Sequence, residues 1–360
     1  MASPAFEGFI GRAWLRRGWL AWLLWPLSVL YGVLSALRRY AYARGWVRST
    51  RLPLPVVVVG NIFVGGTGKT PLTIWLVQAL QAAGWRPGVV SRGHGARVSA
   101  PAAPDALGAY RGRLDDTIEV LADADPARVG DEPLLIAQRC QCPVVVGRQR
   151  VTAAQALLAA HPEVNILVSD DGLQHYALQR DVEIMLFDQR GSGNGWLLPA
   201  GPLRESVRRR ADFVVFNGNN APPADSSMWL QAPQLFQMQL DGSVAENLAA
   251  PQRRQTLAAF TGQGAAAAGI GNPERFFSML RAANLQFEAL PLPDHYAFQE
   301  NPFADLTANW ILITEKDAVK CRQHPELKHD RRLWVVPVSA RIDGALAQQI
   351  VEKCGGFPTT

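Results

Sequence analysis

Residues 60–71, GNIFVGGTGKTP, combine closely spaced glycines with a lysine and a threonine. The segment follows the apolar run Pro55–Val59 and precedes a helical pattern, which is the strand–turn–helix context of a phosphate-binding P-loop. In such a loop, backbone N–H groups and the helix dipole hold phosphate oxygens, Lys69 neutralises the β and γ phosphates, and Thr70 can reach a magnesium ion. The predicted nucleotide-binding residues are therefore Gly65, Gly66, Thr67, Gly68, Lys69 and Thr70.

Two positions of this loop differ from related patterns. The place six residues before the lysine, where a small residue is usual, holds Phe63. Partitioning and site-selection ATPases share the Gly-Gly-x-Gly-Lys-Thr core but have a second lysine immediately before the glycine pair, and here that position is Val64. Two alternative functions for such a loop are a partner-binding ATPase switch and a soluble small-molecule kinase. The valine at this position argues against the ATPase switch.

A pair of carboxylates follows a second apolar run, in VNILVSDDGLQH, residues 164–175. An apolar strand that ends in acids is how P-loop proteins supply a carboxylate on the magnesium side. We therefore expect Asp170 and Asp171, together with Thr70, to hold or orient hydrated magnesium, and Gly172 to allow a sharp turn. For His175, a functional role and an ordinary loop position are equally compatible with the sequence.

Other polar residues occupy places where chemistry is possible. Asp131 begins a helical pattern in VGDEPLLIA and could serve only as a helix N-cap. Arg204, in the proline- and glycine-rich loop LLPAGPLRES, suits an anion with several oxygens, with a surface ion pair as the alternative. Later in the chain, PLPDHYAF contains His295, and TEKDAVKC contains Lys316 and Asp317.

Short apolar runs alternate with helical patterns along most of the chain. This alternation predicts an α/β fold, a P-loop NTPase-like doubly wound sheet with a second, smaller α/β half. The predicted segments are a hydrophobic helical segment over 1–51, a P-loop domain over 52–217 and a second α/β domain over 218–360, with a seam in NGNNAPPADSS. The predicted strands are Pro55–Val59, Gly88–Val90, Pro143–Val146, Val164–Val168, Val182–Phe187, Phe213–Phe216, Thr256–Phe260, Trp310–Ile313 and Leu333–Val338.

Residues 18–37, GWLAWLLWPLSVLYGVLSAL, contain no charged side chain. As a helix they would be about 30 Å long, enough to cross a hydrocarbon core. Tryptophans concentrated in the first half favour the headgroup level instead. The segment predicts membrane contact, either spanning the bilayer or lying in its interface, with a buried core helix as the alternative.

Charge and cysteine content exclude other classes. The net charge of +5 comes from 36 basic and 31 acidic residues, and much of the excess lies in the first 51 residues. No recognised nucleic-acid module accompanies it, so nucleic acid is not an expected partner. The four cysteines are too few and too scattered for a disulfide scaffold or a zinc site.

The ordered set GNIFVGGTGKTP, SRGHG, VGDEPLL, GRQR, SDDGLQH, LLPAGPLRE, AGIGNP, LPDHYAF and TEKDAVKC resembles the tetraacyldisaccharide 4'-kinase family of lipid A biosynthesis. The resemblance covers essentially the whole chain. It implies an ATP-dependent kinase that transfers the γ-phosphate to the 4'-hydroxyl of a tetraacylated glucosamine disaccharide 1-phosphate, at the cytoplasmic face of the inner membrane. ATP and Mg²⁺ would be its cofactors, and this lipid A precursor and the membrane surface its partners, with no protein partner evident.

The same resemblance assigns roles to individual residues. Asp131 would be the catalytic base, paired with His295 from the other α/β half, with the active site between the halves. His94 stands where family members usually carry a tyrosine, and its role is unassigned. The implied catalytic residues are Asp131, His295, Lys69 and Arg204, and the implied magnesium-side residues are Thr70, Asp170 and Asp171.

Overall fold

In a computed structural model of the chain, residues 14–93, 117–218 and 234–356 are described. His94 and most of the predicted seam lie outside these ranges. The strands are β1 Val56–Gly60, β2 Pro87–Ser91, β3 Thr117–Glu119, β4 Val144–Gly147, β5 Ile166–Asp170, β6 Val182–Asp188, β7 Phe213–Asn217, β8 Leu235–Asp241, β9 Val244–Asn247, β10 Arg254–Thr256, β11 Gly264–Ala268, β12 Glu288–Pro291, β13 Trp310–Thr314, β14 Leu333–Val336 and β15 Ser339–Ile342. The helices are α1 Trp19–Ala43, α2 Lys69–Ala82, α3 Pro126–Val129, α4 Asp131–Cys140, α5 Arg150–Ala160, α6 Pro273–Ala282, α7 Glu315–Cys321 and α8 Ala345–Lys353.

The described residues form two compact units, each built from separate parts of the chain. The first unit draws on Met1–Arg92, Gly147–Gln239 and Arg341–Thr360, and the second on Gly93–Val146 and Leu240–Ala340. Each of the predicted domains, with boundaries at residues 51/52 and 217/218, is instead one continuous segment of the chain. This division stays a prediction.

The first unit contains a parallel sheet in the strand order β8-β7-β6-β1-β5-β2. The chain runs from β1 outward to β2, returns to β5 and then crosses β1 to reach β6, so the strand order reverses around β1. Ligands of doubly wound sheets bind at such a reversal, beyond the carboxyl ends of the strands. Val59 of β1 is level with Asp170 of β5, which brings the polar ends of both strands to this edge. The predicted doubly wound sheet is thereby confirmed.

Valines occupy the central strand of this sheet for a physical reason. Val56–Val59 are at most 1% exposed, because strands of a parallel sheet are covered on both faces. β-Branched side chains pack well on a pleated surface and favour this conformation. The apolar run that precedes the glycine-rich loop is therefore what anchors that loop to the middle of the unit.

The second unit contains a mixed sheet in the order β10-β9-β14-β13-β11-β12. The prediction of a strand over Thr256–Phe260 is wrong, since β10 ends at Thr256 and a 3₁₀ turn occupies Leu257–Ala259. The internal strand β11, GAAAA, was missed because alanine and glycine have low strand propensity. Small residues are needed there because the indole ring of Trp310 lies 2.1 Å from the place a Cβ would occupy on Gly264.

Helix α1 is long and apolar enough to cross a membrane, and only 11% of its most apolar stretch is buried. Its exposed side chains include Trp19, Leu23 and Leu30, whereas Ala21 and Ser28 are buried. The opposite exposure of these two faces argues against a core helix, because a core helix would be covered all round.

We expect Gly264→Ala to destabilise the protein by about 1–3 kcal/mol, because overpacking a core forces neighbouring side chains and backbone to move. The Trp310 ring is 5% exposed and packs against Phe260, so it has little room to shift. The midpoint of urea unfolding of the full chain measures the effect. Gly344→Ala is the matched control, because that glycine has φ −58° and no atom within 4 Å of its Cβ position. Equal midpoints for the two variants would contradict the prediction.

Candidate active site

The glycine-rich loop connects β1 to α2, and its N–H groups have no acceptor among the described residues. Gly65 and Gly68 have φ values of +101° and +99°, a left-handed conformation that favours glycine. Within residues 14–93, 117–218 and 234–356, the N–H groups from Gly65 to Lys69 donate to no protein atom. Since α2 begins at Lys69, these donors and the helix dipole act at one place. The arrangement can bind a phosphate group.

Lys69 lies between a neutral acceptor and a carboxylate. Its Nζ is 3.2 Å from Asn61 Oδ1 and 3.8 Å from Asp171 Oδ1, and its side chain is 13% exposed. Asn61 also donates from Nδ2 to the hydroxyl of Thr67 at 2.9 Å. The ammonium group is thus held beside the loop by polar contacts and can meet a phosphate oxygen. Thr70 follows in the first turn of α2 and is partly buried.

The two predicted acids at the end of β5 differ in surroundings. Asp170 is 1% exposed, and its carboxylate accepts hydrogen bonds from Thr73 Oγ1 at 3.0 Å and Ser91 Oγ at 3.3 Å. Asp171 lies between Lys69 and Arg204, with its Oδ2 3.4 Å from Arg204 Nη1. Asp170 is therefore fixed by hydroxyl groups, and Asp171 by cations.

The turn after β5 differs from the expectation for Gly172. Asp171, not the glycine, adopts the left-handed conformation, with φ +49°. Gly172 is needed for space, because a Cβ there would lie 2.4 Å from Ser169 Oγ. Asp and Asn tolerate the left-handed region better than most residues, so the acid itself makes the turn.

Arg204 is placed beside the phosphate loop by backbone pairing. Its N–H donates to Ile62 O at 2.7 Å, and the Val64 N–H donates to Pro202 O at 2.9 Å. Phe63 and Leu203 form an antiparallel bridge between these two hydrogen bonds. The loop that contains Arg204 is therefore aligned, residue by residue, with the start of the glycine-rich loop.

Two basic groups near these acids, one half-buried and one buried, have lowered pKa values. Burial lowers the pKa of His175 to about 4, and the charges of Arg150 and Arg92 add to the effect. Burial also lowers the pKa of Arg150 to about 10, although Asp170 opposes this. Arg150 donates to Gly147 O and Asp170 O, both at 3.0 Å, and is 2% exposed. His175 is therefore neutral at physiological pH, and Arg150 supports the end of β5 from inside.

A second polar group lies in the second unit, around Asp131. Asp131 Oδ2 is 3.0 Å from His295 Nδ1 and 2.8 Å from Lys320 Nζ, while Oδ1 accepts the Glu132 N–H at 2.9 Å. Lys316 Nζ is 4.0 Å from the same Oδ2 and 3.0 Å from Glu132 Oε1. Asp131 is the first residue of α4 and is 1% exposed. The structure therefore brings together the acid and the histidine that the resemblance pairs, and both belong to the second unit rather than to different halves.

Neighbouring charges and a hydrogen bond determine the pKa values of Asp131 and His295. Burial opposes ionisation of Asp131, but the hydrogen bond with His295 and the charges of Lys316 and Lys320 prevail and hold its pKa well below the usual range. The hydrogen bond to Asp131 raises the pKa of His295. Ligand atoms of Asp131, Glu132 and His295 lie within 4.8 Å of one another, a spacing that could hold a metal ion. The two ammonium groups already neutralise the acids, so we assign an ion-pair cluster here and no metal site.

His295 is held by its backbone as well as by its ring. It has φ +57°, and its N–H donates to Gly269 O at 3.2 Å. Gly269 N–H in turn donates to Asp317 Oδ2 at 2.9 Å, and Thr314 Oγ1 donates to the same oxygen at 2.6 Å. The motifs AGIGNP, LPDHYAF and TEKDAVKC therefore meet around one histidine.

Several residues of these two groups were not found from the sequence. Asn61, Thr73 and Ser91 are ordinary polar residues, and nothing in their local pattern marks them. Lys320 had a usable signal, because it lies four positions after Lys316 and shares its helix face. The predicted residues separate into Lys69, Thr70, Asp170, Asp171 and Arg204 in the first unit and Asp131 and His295 in the second.

In the part of the chain that the structure describes, the order of a parallel sheet reverses at the strand that leads into a loop of N–H donors without protein acceptors. This is the architecture of P-loop nucleotide-binding proteins, and this chain is one of them. More narrowly, it belongs to the tetraacyldisaccharide-1-P 4'-kinase family, whose model matches residues 20–355.

Individual relatives agree with this assignment. The chain is 58% identical to the tetraacyldisaccharide 4'-kinase of Herminiimonas arsenicoxydans, over 99% of this chain and 98% of that one. It is 57% identical to the enzyme of the same name from Janthinobacterium sp. (strain Marseille), over 97% of this chain and 96% of that one. Among solved structures, the crystal structure of "apo" form LpxK from Aquifex aeolicus in complex with ATP matches with a TM-score of 0.70 and 25% identity, over 93% of this chain and 99% of that one.

The two histidines should titrate in opposite directions from the ordinary value of 6.5. NMR of histidine-labelled protein should show His295 charging above that value and His175 staying neutral until about pH 4. In Asp131→Asn the His295 value should fall, because the carboxylate that stabilises the imidazolium is gone, while the His175 value should not move. Substituting each histidine by glutamine assigns the signals. An unchanged His295 value in Asp131→Asn would show that the hydrogen bond has little effect.

Proposed function

We propose that this chain transfers the γ-phosphate of ATP to the 4'-hydroxyl of a tetraacylated glucosamine disaccharide 1-phosphate, a step of lipid A biosynthesis. The observation that carries the proposal is the row of N–H donors from Gly65 to Lys69 that have no acceptor in the described part of the chain, which belongs to this kinase family. A related structure of the same family is described as a complex with ATP, which supports ATP as the donor.

The phosphate charge would be met by fixed cations. Lys69 and Arg204 flank Asp171 beside the glycine-rich loop, where their charges would face the phosphates before charge moves from the γ-phosphorus to the leaving oxygen. Such groups accelerate transfer because they are in place before the charge develops.

The residues at the end of β5 fit a magnesium ion. Hydroxyl and carboxylate oxygens are the donors that magnesium prefers, and Thr70, Asp170 and Asp171 provide these. When bound, the ion would neutralise charge on the β and γ phosphates. Thr73 and Ser91 would keep the Asp170 carboxylate oriented, since their hydroxyls donate to its two oxygens.

The acceptor hydroxyl must lose its proton as its oxygen bonds to phosphorus and the bond from the γ-phosphorus to the bridging oxygen breaks. We assign that proton to Asp131, the base of the Asp131–His295 pair. Because the two groups share a hydrogen bond, their titrations are coupled, and the proton belongs to the pair. Lys316 and Lys320 would keep the pair's carboxylate charged before the proton arrives.

Asp131→Asn should lower kcat by roughly 10²- to 10⁴-fold with little change in ATP binding, because an amide cannot accept the proton. The amide oxygen can still accept the Glu132 N–H, so the helix start is preserved. His295→Ala should also slow turnover, and the double variant should lose less than the product of the single losses, because coupled residues are not additive. Steady-state kinetics with lipid acceptor in detergent measure all three.

Glu132→Gln is the matched control. It removes one negative charge from the same helical turn but leaves the Asp131–His295 hydrogen bond in place. An active Asp131→Asn enzyme would refute the base. Fully multiplicative losses would keep Asp131 as base and remove His295 as its partner.

We also propose that α1 lies in the membrane interface at the cytoplasmic face of the inner membrane. A substrate with four acyl chains stays in the bilayer, since each buried methylene contributes about 0.8 kcal/mol. One face of α1 bonds to the first unit, with Ser28 Oγ donating to Leu197 O at 2.8 Å and Tyr31 OH donating to Arg204 O at 3.0 Å. The other face exposes leucines and tryptophans. A helix attached to the protein along one side favours lying in the interface over spanning.

Replacing Leu23, Leu30 and Leu34 together by glutamine should abolish flotation of the protein with anionic lipid vesicles while leaving ATP binding intact. These side chains are 56–66% exposed and make up one stripe of α1. The matched control replaces Leu121, Leu235 and Val244, which are 38–48% exposed and lie outside α1. Equal flotation of the two triple variants would place the membrane contact elsewhere.

A further inference from the structure

Several carbonyl groups of the glycine-rich loop are bound by side chains, whereas its N–H groups from Gly65 to Lys69 meet no acceptor within residues 14–93, 117–218 and 234–356. Asn61 Nδ2 donates to Phe63 O at 2.8 Å and to Gly65 O at 3.3 Å. The next two carbonyls, of Gly66 and Thr67, are bound by residues far away in the sequence. These are Arg190, which lies in no motif that the sequence analysis singled out, and Asn217, the first residue of the predicted seam.

Arg190 follows β6 and is fixed on three sides. Its Nη2 donates to Gly66 O at 2.7 Å, and its guanidinium forms an ion pair with Asp188 at 2.7 Å. The same guanidinium lies 4.4 Å from the centroid of the Phe63 ring. Planar guanidinium groups stack on aromatic faces, and stacking limits the rotamers they can adopt. The aromatic side chain in place of the usual small residue therefore provides the surface on which Arg190 rests.

Asn217 ends β7 and reaches the loop from the adjacent strand. Its Nδ2 donates to Thr67 O at 2.8 Å, and Asn217 is 1% exposed. A Cβ on Gly68 would lie 2.3 Å from that nitrogen, so only glycine leaves room for the contact. β6 and β7 are paired neighbours, with Asp188 level with Asn217, so both side chains start from the same edge of the sheet.

Peptide geometry connects these contacts to phosphate binding. In a trans peptide the C=O of one residue and the N–H of the next point in opposite directions. Fixing Gly66 O therefore fixes the Thr67 N–H, and fixing Thr67 O fixes the Gly68 N–H. We propose that Arg190 and Asn217 are positioning residues of the nucleotide site, which bind the loop's carbonyl oxygens and thereby keep the opposite N–H groups turned toward the phosphates of the nucleotide. This inference rests on the proposed use of the loop for ATP.

The test compares ADP and AMP, because only ADP carries the β-phosphate that such a loop cradles. Calorimetry of the full-length protein gives both dissociation constants, and melting temperatures are measured beside them. Arg190→Met should weaken ADP binding about tenfold, the effect of roughly one hydrogen bond, and leave AMP binding unchanged. Arg190→Gln should retain most of the ADP affinity, because its amide can still donate to the Gly66 carbonyl. Asn217→Ala should likewise weaken ADP binding about tenfold without changing AMP binding. It tests the inference independently if Arg190→Met does not fold.

Two control variants distinguish failure of this inference from failure of the proposed function. Arg86→Met removes the same charge from an exposed arginine at the opposite end of the sheet, next to β2, and should change neither affinity. Lys69→Ala should lose ADP affinity if the loop is the phosphate site; retained affinity would overturn the proposed function itself. If Lys69→Ala loses ADP affinity and Arg190→Gln weakens ADP binding as much as Arg190→Met does, the lost positive charge, and not the lost contact with the Gly66 carbonyl, would explain the weaker binding. That result would overturn the inference. Unchanged ADP affinity in Arg190→Met and Asn217→Ala, or equal weakening of ADP and AMP, would also overturn the inference.

Discussion

A loop that binds phosphate through its backbone must keep N–H groups without a protein partner, and the first unit is organised around that requirement. A backbone donor that is buried without a partner is unfavourable, because it has lost its hydrogen bond to water. The region from Gly65 to Lys69 accommodates them where β1 meets α2, beside the reversal of strand order. The valines of β1, the aligned ends of β5 and β6, and the backbone pairing of Phe63 with Leu203 all hold this place in the sheet.

The second group of polar residues follows a different rule, because it concentrates charge in a buried place. A carboxylate that is 1% exposed is stable only with close partners, and Asp131 has an imidazole and two ammonium groups. Glu132 balances the second ammonium group through its pair with Lys316, so removing either lysine would leave a carboxylate without its counter-charge, and the cluster forms one electrostatic unit. The cost of assembling it is consistent with a functional rather than a stabilising role, since buried ion pairs are weak contributors to stability.

The sequence predicted what depends on local pattern. The β-branched runs of β1, β5 and β6 identified the parallel sheet, and the Gly-Lys-Thr turn after β1 identified the phosphate loop. β11 was missed because alanine does not signal a strand, and its position is determined by the Trp310 ring that covers Gly264. Arg190 and Asn217 were missed because they meet the loop across 124 and 150 residues, and no spacing rule covers such separations. The Asp131–His295 contact spans 164 residues, and only the family resemblance suggested it.

The hydrogen bond from Tyr31 to the backbone oxygen of Arg204 has an evolutionary consequence. It joins α1 directly to the loop whose arginine faces Asp171, and Ser28 makes a second such contact with Leu197. An unrelated apolar helix grafted in place of α1 would have the same apolar character but would lack these two donors. The N-terminal segment is therefore no exchangeable module, and changes in it are constrained by the architecture of the LLPAGPLRES loop.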